Sequence, residues 1–169
     1  MCSSDLDRAE ELLADALRLG PAYDAAAFDL AVLFERQQRG PEAVDIVAPL
    51  AERHPDIASV HALLSAAYLH CGSAEAALAA SDAALALEPT NAALWHARGH
   101  ALRTAGQGDK AGTAYRRALD LAPCMAEPWW SLANLKTYRF TETDLARMQA
   151  RLAQASGPQE RSEEHTSEL

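Results

Sequence analysis

The sequence has few of the residues on which disulfide-bonded, metal-bound or membrane-spanning proteins depend. Only three of its 169 residues are cysteine, and their spacing matches neither a disulfide framework nor a zinc site. No apolar run approaches the roughly 18 residues of a membrane span, and the N-terminus lacks a basic-then-apolar secretory signal. Basic residues are scarce too, with 15 Lys and Arg against 24 Asp and Glu, which argues against a nucleic-acid partner. We expect a cytoplasmic protein with reduced thiols.

Catalytic motifs are also missing. The sequence contains no glycine-rich strand-loop-helix segment for phosphate, no nucleophile elbow and no strand pattern that could support either. We therefore assign no catalytic residue and no cofactor, and expect that the segment by itself is not an enzyme.

What the sequence does contain is a repeat of 34 residues. Two residue types recur at this interval, and agreement at two independent positions over four copies is hard to obtain by chance. The positions are Pro21, Pro55, Pro89 and Pro123, and, twelve residues before each, Ala9, Ala43, Ala77 and Ala111.

This pattern resembles the tetratricopeptide repeat, whose conserved Trp, Leu-Gly, Tyr, Ala, Phe, Ala and Pro stand at fixed offsets. The best copy carries Trp95, Gly99, Ala111, Tyr115, Ala118 and Pro123, with Arg98 and Leu102 as departures. The resemblance implies an all-α fold, a solenoid of antiparallel helix-turn-helix pairs wound into a right-handed superhelix. It also implies a protein–protein interaction scaffold that binds a peptide or protein in its concave groove.

The repeat register predicts the domain organisation. The solenoid covers residues 7–137, and a linker with a capping helix, ending near Ala155, follows over 138–160. We call 24–57, 58–91 and 92–125 the first, second and third complete repeats. The solenoid's remaining parts are a half repeat at 7–23, which supplies only a second helix, and a half repeat at 126–137, which supplies only a first helix.

Local signals predict where individual helices begin and end. Gly72 and Gly106 fall at the turn between the two helices of a pair, where a positive φ suits glycine. Ser73, Asn91 and Asp109 are expected to be N-caps of the helices that follow them.

The two ends of the chain resemble a translated sequencing-library adapter. Residues 1–6 match one strand of that adapter and residues 161–169 match the other. We therefore expect the natural segment to be 7–160, an internal piece of a longer protein.

The resemblance places the partner-binding surface on the first helices of the repeats. Their side chains that do not face the core would line the groove, although ordinary packing or solvent contact is the alternative for each one. His96 and His100 stand four residues apart, a spacing that could also suit zinc, but no further ligand accompanies them and we predict no metal site. The expected groove residues are Phe28, Val32, Glu35, Ser59, Ala66, Leu69, His96, His100, Arg103, Trp130 and Asn134.

The segment from Glu127 to Phe140 resembles a narrower family. It is similar to the junction in bacterial proteins that carry tetratricopeptide repeats before a sulfotransferase domain, where a Trp-Ser-Leu-Ala-Asn-Leu-Lys-Thr stretch and an aromatic-Arg-Phe follow the last repeat. The resemblance implies a parent enzyme that transfers sulfuryl from a phosphoadenosine phosphosulfate donor. The catalytic domain would lie beyond this segment, so no catalytic residue is carried over.

Two alternatives remain for the whole protein. It could be a free-standing adaptor that assembles other proteins, or the repeat module of another enzyme such as a glycosyltransferase or hydroxylase.

Overall fold

The computed structural model describes residues 3–20 and 23–155, and this part of the chain is built from helices. It contains no strand in those residues, which confirms the expected all-α class. The helices are α1 (Ser3–Leu19), α2 (Asp24–Arg36), α3 (Gly40–Arg53), α4 (Ala58–His70), α5 (Ala74–Leu87), α6 (Ala92–Thr104), α7 (Gly108–Leu121), α8 (Glu127–Ala133) and α9 (Glu142–Ala155). None of these helices is both long enough and apolar enough to cross a membrane.

The helices pack as successive pairs. Each complete repeat contributes one pair, α2 with α3, α4 with α5 and α6 with α7, joined by a turn too short for any arrangement but antiparallel. Each second helix also packs on the first helix of the next repeat. In addition, α2 contacts α4 and α4 contacts α6, so the first helices form one continuous wall.

The alanines of the 34-residue pattern lie where the two helices of a pair cross. Ala43, Ala77 and Ala111 are each fully buried. A larger side chain at such a close crossing would overpack it by roughly 1–3 kcal/mol, which explains why this position is small in every complete repeat.

The expected helix-ending prolines stand just past the helices they terminate. Pro55, Pro89 and Pro123 each follow the C-cap residue of a second helix. Proline disfavours the helical region for the residue before it, so the second helices of all three complete repeats stop at the same register. Pro21, the first member of the series, lies outside the described residues.

The turn inside each pair uses a left-handed residue. Gly72 and Gly106 have φ of 71° and 75°, as expected. The first repeat places Gln38 there instead, with φ of 59°. A non-glycine residue in this region costs roughly 1–2 kcal/mol, so this turn is the less favourable of the three.

Only one of the three expected N-caps makes the predicted bond. The side chain of Asn91 accepts a hydrogen bond of 3.0 Å from the backbone N–H of Ala93. Ser73 occupies the N-cap position of α5, but its hydroxyl makes no capping bond. The expectation for Asp109 was wrong, because α7 begins at Gly108 and Asp109 lies in its first turn, where a carboxylate interacts favourably with the positive end of the helix dipole.

The chain divides into two compact units, the first ending at Thr137 and the second beginning at Tyr138. Within the second unit, Thr141 and Asp144 form a reciprocal cap at the start of α9. The Asp144 carboxylate accepts the Thr141 backbone N–H at 2.9 Å, and the Thr141 hydroxyl accepts the Asp144 N–H at 3.2 Å. The two bonds satisfy N–H groups that would otherwise lack a partner in the helix.

The described residues do not begin and end where the expected natural segment, 7–160, does. Helix α1 begins at Ser3, upstream of the start expected at residue 7. Residues 1–2 and 161–169, which belong to the segments that resemble an adapter, lie outside the described residues.

Candidate peptide-binding groove

All the expected groove residues but Ser59 recur at equivalent positions of successive first helices, and Ala62, which was not predicted, completes one of the rows. Within one helix they stand four and three residues apart, a spacing that aligns side chains on a single face. Three rows result, each taking one residue from successive repeats. They are Phe28, Ala62, His96 and Trp130; Val32, Ala66, His100 and Asn134; and Glu35, Leu69 and Arg103.

The beginning of this wall is apolar. Phe28 and Val32 of α2 are half-buried and pack against the core shared by α2, α3 and α4. Core packing therefore explains part of their contact, and only the outer part of each side chain is available to a ligand.

A pocket of about 280 Å³ opens beside Phe28. This volume is enough for one large apolar side chain. The walls of the pocket are mainly apolar. The lining residues are Asp24, Ala25, Phe28, Leu50, His54, Ile57, Ser59 and Val60.

Asp24 stands at the rim of this pocket and holds two partners from the end of α3. Its carboxylate accepts a hydrogen bond of 2.6 Å from Arg53 and one from the His54 imidazole. The bond from His54, followed by that from Arg53, lowers the pKa of the Asp24 carboxyl. The carboxylate is thus already compensated within the protein and offers little unpaired charge to a ligand.

The row that begins at Glu35 changes character along the wall. Glu35 is partnered by His70, whose Nε2 lies 3.3 Å from a Glu35 oxygen. Leu69 is half-buried, and Arg103 is exposed. The same position therefore carries an acid, an apolar group and a base in three successive repeats.

The two histidines of α6 form a hydrogen-bonded cluster with residues of the next helices. The Nε2 atoms of His96 and His100 are 3.2 Å apart, and His96 Nε2 lies 2.9 Å from Ser131 Oγ in α8. The Tyr115 hydroxyl lies 3.4 Å from His100 Nδ1. A neutral Nε2 carries either a proton or a lone pair, so one imidazole must donate to the other.

This cluster favours uncharged imidazoles. Burial, followed by the neighbouring charges of His96 and Arg103, lowers the pKa of His100 to about 4. Burial also lowers the pKa of His96, against the opposing effect of Glu127. At neutral pH both rings are therefore hydrogen-bonding groups rather than cations.

Further along the wall, large and polar side chains reach solvent. Trp130 is 73% exposed, although it is one of the largest apolar side chains in the chain. Asn134 is also exposed, and its amide donates a bond of 2.9 Å to the Trp130 carbonyl. The amide uses its nitrogen in this bond, so the Asn134 side-chain oxygen can accept from a ligand.

Sequence reasoning missed the residues that organise these side chains from behind. Tyr115 and Ser131 complete the histidine cluster, and Asp24 and His54 border the pocket. Tyr115 was identified as part of the repeat pattern, but its contact with His100 was not predicted, although a large residue at its position must pack against Gly99 of the preceding first helix. The other three carry no signal in a single sequence.

The cluster does not amount to a metal centre. Among residues 3–20 and 23–155 no group of three or more His, Cys, Asp or Glu side chains could hold a metal ion. Hydrogen bonding between the rings accounts for the short separation of the two Nε2 atoms.

Comparisons with known proteins bear on the fold of this wall. Two family models, each described as tetratricopeptide repeat, match residues 3–67 and 92–123 and together span more than half of the chain. A search of curated proteins gave no match.

Solved structures match as well. A thermophilic tetratricopeptide-repeat protein of Thermus thermophilus, TTC0263, is 26% identical, with a TM-score of 0.69 over 89% of this chain and 81% of that one. A crystal structure of MamA is 18% identical with a TM-score of 0.73, covering 90% of both chains. A second MamA structure, labelled MSR-1, is 24% identical with a TM-score of 0.64 over 70% and 68%. The likeness to MamA, at these identities, concerns the fold.

Proposed function

We propose that this chain, which is built from tetratricopeptide repeats, is a protein–protein interaction scaffold that binds an extended peptide or protein segment along α2, α4, α6 and α8. The observation that carries the proposal is that the first helices contact one another in series, α2 with α4 and α4 with α6, while a hydrogen bond of 2.9 Å joins His96 of α6 to Ser131 of α8. A wall of this kind provides a repeating series of contacts to a chain laid across it.

Trp130 is the strongest single candidate for an anchor. Tryptophan is enriched among residues that dominate binding energy, because a large ring buries much apolar area with few rotatable bonds. Its 73% exposure leaves that area available. The pocket beside Phe28 provides a second place for an apolar group at the other end of the wall.

The test is a peptide-array screen with the full chain and two groove variants, Trp130→Ala and His100→Ala. We expect Trp130→Ala to weaken selected peptides about tenfold or more, which corresponds to about 1.4 kcal/mol. Leu152→Ala is the matched control, because Leu152 of α9 is similarly exposed at 68% and lies in the other unit.

The control variant should bind as the wild-type chain does. Binding that survives both groove substitutions, or that falls equally in Leu152→Ala, would show that these first helices are not the binding surface.

A second proposal concerns the parent protein. The resemblance at residues 127–140 supports a repeat module that stands before a bacterial sulfotransferase domain and presents a substrate or partner to it. The coding sequence beyond Glu160 decides the matter. A strand followed by a Gly-Thr-rich phosphate loop supports the sulfotransferase, a stop codon supports a free-standing adaptor, and another catalytic domain replaces both.

We further propose a cytoplasmic location and no catalytic activity for this segment alone. Cys71 and Cys124 support the location, since both are free and exposed, and unpaired exposed thiols suit a reducing compartment. Fractionation of cells that express the tagged full-length protein would test it, and recovery from an oxidising compartment would contradict it.

A further inference from the structure

The first helices at the centre of the wall carry no negative charge. Neither α4 nor α6 contains an aspartate or glutamate, although the chain as a whole has 24 acidic residues and a net charge of −9. The same two helices hold four of the six histidines in the chain. The acidic residues of these repeats are instead on the second helices, as Glu75 and Asp82 in α5 and Asp109 and Asp120 in α7, or at a helix end, as Glu88 at the C-cap of α5.

Of the two arginines in α6, one is used inside the fold. Arg98 points to the neighbouring second helix, where its Nε donates a bond of 2.6 Å to Asp82. Arg98 therefore connects α6 to α5 and is not available to a ligand.

Arg103 has no such partner. It follows His96 and His100 at the spacing that keeps all three on one helix face, and its charge acts on both rings and on Tyr115. No carboxylate in the described part of the chain forms an ion pair with it. An exposed guanidinium on α6, beside α4, can pair with an anionic group, because neither of these two helices carries an acid.

The position of Arg103 in its repeat indicates how a ligand would be spaced along the wall. Glu35, Leu69 and Arg103 are equivalent residues of α2, α4 and α6, helices that contact one another in series. Directly packed helices stand about 8–10 Å apart, and an extended peptide advances about 3.3 Å per residue. Successive members of this row are therefore separated by roughly three residues of an extended ligand.

We infer that the groove selects an extended peptide with an acidic side chain at Arg103 and a large apolar side chain, roughly three residues away, at Leu69. This inference rests on the proposed function, because it names the ligand of the same groove. The Arg103 guanidinium pairs with the ligand's Asp or Glu carboxylate, and Leu69 contacts the apolar side chain.

The inferred ligand is acidic although the protein itself carries a net negative charge. A chain of net charge −9 attracts basic ligands and repels acidic ones at long range. At about 0.15 M salt the screening length is about 8 Å, so contacts within the groove outweigh charges on its far side. Selection of acidic peptides would therefore show that binding depends on charges within the groove and not on the net charge of the protein.

The experiment is an array of random peptides with blocked N- and C-termini, probed at about 0.15 M salt with the full chain. Blocking the termini leaves side chains as the source of any carboxylate. We expect the selected peptides to be enriched in Asp or Glu standing about three positions from Leu, Ile, Phe or Met. The strongest peptides are then resynthesised with a fluorescent label and titrated.

Two charge reversals separate the groove from the rest of the surface. Arg103→Glu should weaken the selected acidic peptides at least about tenfold, with Arg103→Gln in between. Arg117→Glu makes the same change of net charge on an exposed residue of α7 and should change binding less than about twofold. Circular dichroism of each variant confirms that it is folded.

Selection of Lys- or Arg-rich peptides by the wild-type chain, or acidic selection that persists in Arg103→Glu, would overturn the inference. Peptides that bind through Trp130 without any preference for acids would overturn it while leaving the proposed function intact. If no peptide depends on the groove, the proposed function fails and this inference fails with it.

Discussion

The second and third complete repeats fill equivalent positions with different chemistry. At the position of the repeat's conserved tryptophan they carry His61 and Trp95. Both rings nevertheless donate to the carbonyl of the equivalent proline. His61 Nε2 lies 3.0 Å from the Pro55 carbonyl oxygen, and Trp95 Nε1 lies 2.8 Å from the Pro89 carbonyl oxygen. The hydrogen bond is preserved while the size of the ring is not.

The helix crossing shows a larger difference. In the second repeat the facing positions are Ser65 and Ser81, and the Ser65 hydroxyl donates a bond of 2.8 Å to the Ala77 carbonyl. In the third repeat they are Gly99 and Tyr115, and Tyr115 is fully buried. A Cβ added at Gly99 would lie 2.2 Å from the Tyr115 ring, so the ring occupies the space that glycine leaves.

The buried tyrosine of the third repeat also contacts side chains on the groove face. The Tyr115 ring extends under α6 until its hydroxyl meets His100, and its centroid is 5.5 Å from that of His96. In the second repeat the groove positions equivalent to the two histidines are Ala62 and Ala66. The comparison shows that one side chain, Tyr115, links the packing at the helix crossing to the polar groups on the groove face of the same repeat.

The largest expected effect follows from removing that side chain. Tyr115→Ala should lower the free energy of unfolding by about 3–5 kcal/mol, as truncation of a buried aromatic does. Ser81→Ala at the equivalent position should cost less than about 1.5 kcal/mol, the range for one hydrogen bond. Urea unfolding followed by far-UV circular dichroism measures both, and equal costs would contradict the difference drawn between the repeats.

The next effect tests whether glycine and tyrosine act as a pair. Gly99→Ala gains about 1 kcal/mol of helix propensity, but the contact at 2.2 Å must be relieved by moving a buried ring. We expect a net loss of about 1–3 kcal/mol from this overpacking.

A double substitution then supplies the control. Gly99→Ala with Tyr115→Val copies Ala31 and Val47, which stand at the same positions in the first repeat. Its cost should be smaller than the sum of the single costs by more than about 0.5 kcal/mol, the limit expected for independent sites. Additive costs would show that the two residues do not share one space.

A third effect is acid sensitivity. Burial holds the pKa of His100 near 4 in the folded protein, below the value of about 6.5 for an unfolded chain. The unfolded chain therefore binds more protons between these values, and the free energy of unfolding falls as the pH drops from about 6.5 towards 4. His96, whose pKa burial also lowers, adds to the same trend, whereas Glu127 opposes it for His96 and Arg103 supports it for both.

The measurement compares unfolding of the wild-type chain and His100→Ala at a series of pH values. The variant copies Ala66 of the second repeat, so its loss of stability between about pH 6.5 and 4 should be smaller. Parallel curves for the two proteins would mean that the imidazole of His100 is not held neutral by the fold.

The smallest effect concerns a helix start. Asn91→Ala removes the capping bond to the Ala93 N–H and should cost about 1 kcal/mol. Ser73→Ala is the control, because Ser73 occupies an N-cap position without making that bond, and it should cost only a few tenths as much. Thermal unfolding of the two variants distinguishes them, and a larger loss in Ser73→Ala would contradict the assignment of the cap.

The repeat period made much of the fold predictable from a single sequence. Pro55, Pro89 and Pro123 marked the ends of second helices, and Gly72 and Gly106 marked the turns, since each acts through its own backbone geometry. The prediction for Asp109 was wrong because α7 begins at Gly108, two residues earlier than an N-cap at Asp109 would require. The groove residues stay predictions, because their role depends on a partner.

The sequence by itself determined the architecture, since a 34-residue period in proline and alanine fixes where helices stop and where they cross. Only the tertiary structure decided which side chains meet. Tyr115 reaches His100 through the space at Gly99, and Arg98 pairs with Asp82, whereas Arg103 forms no ion pair within the described residues. These outcomes depend on distances between helices, which local backbone preferences do not specify.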